Sequence, residues 1–525
     1  MNRFRLIALV CATVLLAAAA AGCGDSSSSD GDSGGTIIRG TTDQPISYDP
    51  AGAYDLPSYD GIYSMYQNLL TVPPGDNKAA PEAAESCDFT DQTNQTFECT
   101  MRDGLTFSDG SPLTAEDVKF SFDRNIEIAD PNGASSLLAN MKSVEAPDEG
   151  TVVFNLKEPD ATWPLVLTTG SFAIVPSDSY PADKLQPNDQ VIGSGRYTLA
   201  EYEPGQQTVM EKNAEYQGED PAVNDRVIIQ YFDKASPLKL AVEQGDVDIA
   251  YRSLSPTDIE DLDGADGVNV VSGNGTEIRY LTFNTKLQPG DSDEEKLAIR
   301  QAAAQVIDRQ SIADNVYNGT VNPLYSMVPQ GVEFATEAFA DTYGEAPDVD
   351  AAEQALSDAG IDTPVPLEVW WTPSHYGTAS GDEYAEIKRQ LDESGLFEVT
   401  LKSTEWNQYS TAAFTDKYPT YQLGWFPDYP DADDYTASFY APDSFLNIHY
   451  DNPEMNKLLA EEKGSDEESV RAQAFERIQE IGAEDAPTIP IWQADQVAAV
   501  RDGVDGVEET FDPSFIFRFW LISKS

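Results

Sequence analysis

Apolar and polar side chains alternate over residues 151–157, with Val152, Phe154 and Leu156 on one face and Val153, Asn155 and Lys157 on the other. A period of two is that of a half-buried strand. Residues 276–285 make another extended run, rich in Ile, Tyr, Leu and Phe. Elsewhere the period lengthens. Thr114 and Asp117 form a capping box, with Val118 and Phe122 four apart behind it. Ser292 and Glu295 repeat the device before a longer helix on which Ile299, Ala303, Val306 and Ile307 share a face. Gly319 is placed to stop the helix after that one, and Gly360 ends another over residues 351–359. Ser236 and Pro237 read as the cap and first residue of one more. Strands and helices are interspersed without a repeat of about 20–50 residues, which predicts an α/β or α+β fold with several sheets.

The first segment reads as an export signal. Arg3 and Arg5 precede an apolar run over residues 6–21, which ends at Ala20-Ala21-Gly22-Cys23. That run is shorter than the roughly 20 residues of a comfortable membrane span. Small residues before a cysteine fit a lipoprotein cleavage box that leaves Cys23 lipidated. A Ser/Gly/Asp stretch over residues 24–35 then serves as a flexible tether. These features predict an extracytoplasmic protein held at the cell membrane by its lipid. The 525-residue length predicts two or more lobes.

Charge narrows the partners. Against 32 basic residues stand 91 acidic ones, a formal net charge of −59. Such a surface repels nucleic acid and disfavours a polyanionic ligand; its plainest role is solubility outside the cell. Cys11 falls in the signal, which leaves Cys87 and Cys99 twelve positions apart around the polar residues 90–96. Strand-like flanks allow a hairpin with the thiols facing each other, so a structural disulfide is expected.

Candidate catalytic motifs lack their companions. Gly31-Asp32-Ser33-Gly34-Gly35 spells a serine-protease nucleophile motif, yet the two histidines, His375 and His449, lie far downstream. Ser236-Pro237-Leu238-Lys239 has the spacing of a penicillin-binding-protein nucleophile without the further motifs. The acids of Asp428-Tyr429-Pro430-Asp431-Ala432-Asp433-Asp434 are dense enough to raise calcium, but the glycine and terminal glutamate of an EF-hand are missing. No enzyme activity, metal or cofactor is expected.

One long block carries a resemblance. Arg102-Asp103-Gly104-Leu105-Thr106-Phe107-Ser108-Asp109-Gly110, then Pro112-Leu113-Thr114-Ala115-Glu116-Asp117-Val118, resembles the signature of bacterial extracellular solute-binding proteins, family 5. Those are the dipeptide- and oligopeptide-binding components of ABC importers. Further blocks follow in the family's order: Ile192-Gly193-Ser194-Gly195-Arg196-Tyr197, Gln244-Gly245-Asp246-Val247-Asp248-Ile249, Val306-Ile307-Asp308-Arg309, Gly424-Trp425-Phe426-Pro427-Asp428-Tyr429-Pro430-Asp431, and Glu484-Asp485-Ala486-Pro487-Thr488-Ile489-Pro490. Arg196 stands where the family usually has proline.

The resemblance implies a two-lobed, periplasmic-binding-protein-like α/β fold with a hinge and a subdomain inserted in lobe I. Mapped onto this chain, residues 1–22 are the signal peptide and 23–35 the tether. Lobe I takes 36–72, 187–277 and 490–525, the inserted subdomain 73–186, and lobe II 278–489. The function implied is capture of a small solute, foremost a peptide, between the lobes and delivery to permease and ATPase subunits on other chains, by a monomer without chemistry of its own. Asp428 matches the aspartate that pairs a peptide's α-ammonium in those relatives. Trp425 would offer a ring face, and Tyr429 and Asp431 are further ligand candidates. No arginine matches the carboxylate clamp that fixes dipeptide length. Alternatives are a non-peptide solute such as a sugar, opine or metal chelate, a ligand-sensing surface lipoprotein, and a secreted hydrolase.

Overall fold

The computed structural model describes residues 35–252, 254–373, 375–442 and 444–525. The export signal, Cys23 and almost all of the expected tether lie outside the described residues.

A seven-stranded sheet forms one lobe, in the order Val268–Gly273, Gln496–Arg501, Ile249–Tyr251, Thr36–Thr41, Arg226–Tyr231, Gln207–Lys212, Tyr197–Glu203. Thr36–Thr41 runs parallel to both neighbours, and the outer strands are antiparallel. Parallel strands must be covered on both faces, and Ile37, Val227, Ile229 and Ile249 are buried. The helix Ala235–Gln244 covers one face with Leu238, Ala241 and Val242. Gly40 makes room for it, since a Cβ there would lie 2.5 Å from a Leu238 methyl. This helix starts two residues earlier than the Ser-Pro signal predicts: Lys234 is its cap, and Ser236 and Pro237 lie in its first turn, where proline is still tolerated.

A six-stranded sheet forms the second lobe, in the order Val321–Pro323, Thr488–Ala494, Ile278–Phe283, Thr420–Trp425, Val365–Trp371, Phe397–Ser403. All six residues of Ile278–Phe283 are buried. Helix Asp293–Val306 begins at the expected Ser292, whose side chain accepts from the Glu295 N–H, but the Glu295 carboxylate accepts from the Asp291 N–H and does not close the capping box. The helix buries Ile299, Ala302, Ala303 and Val306. The next helix, Arg309–Asn315, stops short of Gly319. That glycine closes the turn behind it at φ +76°, its N–H donating to the Ala313 carbonyl.

Four antiparallel strands, Ala84–Phe89, Thr96–Met101, Thr151–Leu156 and Met141–Asp148, make a smaller sheet. Helix Ala115–Ile128 packs on it through Phe122, edge-on to Phe154 at 4.9 Å. Asp117 accepts from the Thr114 N–H and hydroxyl at the start of that helix. Cys87 lies directly opposite Cys99 in the hairpin, and the two are disulfide-bonded.

The chain crosses between the two large sheets at residues 274–277 and returns at Asp495. The resemblance puts the return at Pro490, but Thr488–Ala494 still pairs with Ile278–Phe283 and Val321–Pro323. Pro490, which has no N–H to give a ladder, is accommodated at a register shift beside Arg279 and Tyr280. The crossovers hold each other. Ala494 N–H donates to the Glu277 carbonyl at 2.9 Å, and Gln496 Nε2 donates to Asn274 and Asp512 carbonyls. Gly275 passes so close that a Cβ would sit 2.3 Å from the Ala494 oxygen.

Candidate ligand-binding site

The strand Thr420–Trp425 leaves the second sheet at the seam between the lobes. Pro427 and Pro430 follow, and neither can donate to a ladder, so pairing stops. The chain then turns back on itself: Asp433 N–H donates to the Asp431 carboxylate at 2.8 Å, and Ala437 N–H to the Asp433 carbonyl at 2.8 Å. The turn gathers acids that a straight strand would have scattered.

Asp434 is buried at its centre, 2% exposed. One of its oxygens accepts from Trp425 Nε1 at 2.8 Å and from the Asp428 N–H at 3.1 Å. Asp428, partly buried, takes a hydrogen bond from the Tyr54 hydroxyl of the first lobe. Its carbonyl lies 3.5 Å from Thr169 Oγ1, also of that lobe. The site therefore bridges residues nearly four hundred positions apart.

These donors are all neutral. Nearby cations are engaged elsewhere: Arg279 with Glu277 at 2.6 Å, Arg252 with Asp43 at 2.8 Å, and Arg471 with Asp431 at 2.6 Å. Among the described residues, no lysine or arginine forms an ion pair with Asp428 or Asp434. Two close carboxylates with little water cannot both ionise freely. Burial pushes Asp428 up to about 6, with the Tyr54 O–H pulling the other way. Burial, and then the charge of Asp428, push Asp434 well above the ordinary carboxylate range.

Aromatic rings wall the acids. Trp425 stacks on Phe445 at 5.1 Å and meets Phe439 edge-on at 5.5 Å. Phe445 and Tyr54 are among the few large side chains with apolar rings left open, 39% and 41% exposed. Tyr54 bonds Asp428 directly, and Phe445 stacks on the Trp425 ring whose Nε1 bonds Asp434. Phe426 lies under the Arg252 guanidinium at 5.0 Å, a ring-to-cation contact across the seam.

The other residues expected at the site have internal partners. Tyr429 is 8% exposed, packs in the first lobe's core cluster, and donates to Asp433 at 2.9 Å. Asp431 is 7% exposed and held by both Arg471 terminal nitrogens, at 2.9 and 2.6 Å. Asp428 and Trp425 are brought together; Asp431 is drawn toward the helix Glu468–Asp485 instead. Tyr54, Asp434 and Phe445 are the residues that sequence reasoning did not single out. Asp434 shares a segment with Asp428, but its role depends on the fold-back of the turn. Tyr54 has no local signal at all.

Of the two histidines, His375 lies flat on Trp406, ring centres 3.7 Å apart, and His449 Nε2 pairs with Asp416 at 2.6 Å. Among the described residues there is no group of three or more His, Cys, Asp or Glu placed to hold a metal ion.

Comparison with known proteins agrees with this architecture. Residues 78–447 match the profile of the bacterial extracellular solute-binding proteins, family 5 (middle region). The dipeptide-binding protein of Pseudomonas aeruginosa is 24% identical over 494 residues, covering 88% of this chain and 90% of its own. The crystal structure of the ABC transporter substrate-binding protein CtaP from Listeria monocytogenes superposes with a TM-score of 0.80 at 24% identity, over 94% of this chain and 99% of that one. The binding protein AgaA of Agrobacterium tumefaciens, in complex with agropinic acid, gives 0.75 at 23% identity, over 94% and 99%. At this identity the structural likeness establishes the fold alone, a two-lobed α/β architecture.

Proposed function

This chain belongs to the bacterial extracellular solute-binding proteins, family 5, and on that premise we propose that it captures a small solute bearing a protonated amine between its lobes, foremost a peptide with a free amino terminus. One observation carries the reading: among the described residues, Asp428 and Asp434 lie together at the seam with neutral donors and no ion-paired lysine or arginine. A ligand ammonium would supply the missing charge. It would share the Asp428 carboxylate with Tyr54 and lie against the open faces of Phe445 and Tyr54. A buried carboxylate gains most from a cation when water is excluded, which closure of the two lobes provides.

The names of relatives support this direction, with a dipeptide-binding protein and an ABC transporter substrate-binding protein among them. The agropinic acid complex shows that the fold also serves other solutes. In our reading the protein performs no chemistry. It hands its ligand intact to the permease and ATPase of an importer, and acts as a monomer tethered outside the membrane through lipid on Cys23.

Mass spectrometry of the molecule that co-purifies with the folded protein is the test. A compound with a free amine supports the reading, and titration calorimetry of that compound against Asp428→Asn then sizes the contact. A neutral sugar, or an affinity unchanged in the variant, would overturn it.

A further inference from the structure

A second contact between the lobes lies beside the ligand segment, and its chemistry is different. The helix Pro453–Lys463 of the second lobe ends on Lys463. Its ammonium sits between two carboxylates, Asp160 from the first lobe at 3.8 Å and Asp433 from its own at 3.9 Å. Their side chains are only 4% and 3% exposed. Asp160 is fixed by the Thr162 N–H and hydroxyl and by Asn140 Nδ2. Asp433 is fixed by the Tyr429 hydroxyl. Neither acid can swing away, so without the lysine two buried negative charges would face each other across the seam.

Backbone contacts surround this centre. The Ala161 N–H donates to the Lys463 carbonyl at 2.7 Å, and Asn94 Nδ2 reaches the Gly464 carbonyl at 3.4 Å. Helix C-termini favour positive charge, which adds to the hold on Lys463. On the same side, Glu462 is fully buried next to Asp433 and is met by Arg471 at 3.3 Å. The acids outweigh burial and keep the Lys463 ammonium protonated well beyond its ordinary range, Asp433 contributing most.

We propose that Lys463, gripped by Asp160 and Asp433, is an electrostatic clasp that holds the lobes together without ligand. Opening would strip Lys463 of Asp160 and break the Ala161 hydrogen bond, so the clasp adds a ligand-independent share to closure. It also ties closure to the site, because Asp433 precedes Asp434 in the same turn. Its purpose rests on the solute-binding reading, but its existence does not.

The test uses the ligand-free protein, so a wrong ligand assignment leaves its result unaffected. Small-angle scattering and backbone hydrogen exchange are compared for wild type, Lys463→Met, Lys463→Arg and the control Lys457→Met, an exposed lysine on the same helix. In Lys463→Met the scattering should expand and the Ala161 amide should exchange about tenfold faster, equivalent to roughly 1.4 kcal/mol. Exchange within the buried strand Ile278–Phe283 should stay unchanged, and Lys463→Arg and Lys457→Met should resemble wild type. The proposal is overturned if Lys463→Met behaves as wild type. It is overturned equally if Lys463→Arg opens as far as Lys463→Met, which would assign the effect to packing. Acceleration in Ile278–Phe283 as well would make the effect global destabilisation and would also overturn it.

Discussion

Two buried aspartate sites in this molecule are built on opposite principles. Asp49 sits in the first lobe with Arg124 bonded to both its oxygens, side-chain exposures 0% and 1%. Backbone N–H groups of Ala51 and Gln186 complete its shell, and Arg124 is completed by the Pro181 and Lys184 carbonyls. Every charge is matched inside the protein. Asp428 and Asp434 have tryptophan, tyrosine and peptide donors but, among the described residues, no counter-ion. The first arrangement is finished by folding and has nothing to offer a ligand. In the reading proposed above, the second is completed only by a positive charge on the ligand, and that would separate a structural carboxylate from a binding one.

The comparison is sharpest where one partner is deleted. Asp49→Ala leaves Arg124 buried and uncompensated and should cost about 3–5 kcal/mol of stability by urea denaturation. Asp428→Asn should do the reverse and leave the protein as stable or more stable at neutral pH, because it removes a carboxylate whose burial opposes ionisation. If the two variants lose stability equally, the contrast fails.

Asp428→Asn should instead damage binding. For an amine ligand we expect a loss of about 2–4 kcal/mol, roughly 30- to 1000-fold in Kd by calorimetry. The Asp49 site predicts no such loss for any variant that still folds.

The third prediction concerns pH. The Asp428 carboxyl is raised from its ordinary 3.8 to about 6, so its share of folding stability is fully present below pH 3.8 and is lost as pH rises through about 6. Binding runs the other way, since only the ionised carboxylate attracts an ammonium. Wild-type affinity should rise through pH 6 and then level off, with a fall approaching tenfold per unit below it. Asp428→Asn should give a flat profile over that window.

The smallest effect expected is that of Tyr54→Phe, about 1 kcal/mol in binding. Loss of its hydroxyl removes a donor that eases ionisation of Asp428, so the pH midpoint should move upward. A midpoint that moves down would show that Tyr54 competes with the charge rather than supporting it.

Much of the scaffold was legible because it rests on local rules. The strand Thr151–Leu156 shows in its alternation, the helix Ala115–Ile128 in its Thr114–Asp117 start, and the Cys87–Cys99 hairpin in its polar turn. Trp425 and Asp428 stand out in the sequence through resemblance and because rings mixed with acids are unusual, and the fold brings the two together. Local rules misplace the start of Ala235–Gln244 by two residues, since Ser236 reads as the cap and Pro237 as the first helical residue. The lobe boundary that the resemblance puts at Pro490 falls inside a strand, because Thr488–Ala494 stays in its sheet past that proline. Neither Arg471 for Asp431 nor Lys463 for Asp433 could be read from the acids alone.

What the chain by itself determined is the set of elements, whose hydrophobic periods and caps act over a few residues, and the presence of an acidic, aromatic segment after a strand. Which of those acids keeps a counter-ion and which goes without is decided by residues 40 positions away for Asp431 and 374 for Asp428. A carboxylate's chemistry depends on the charges within a few ångströms of it, and that neighbourhood exists only once the sheets have brought distant stretches of chain to one seam.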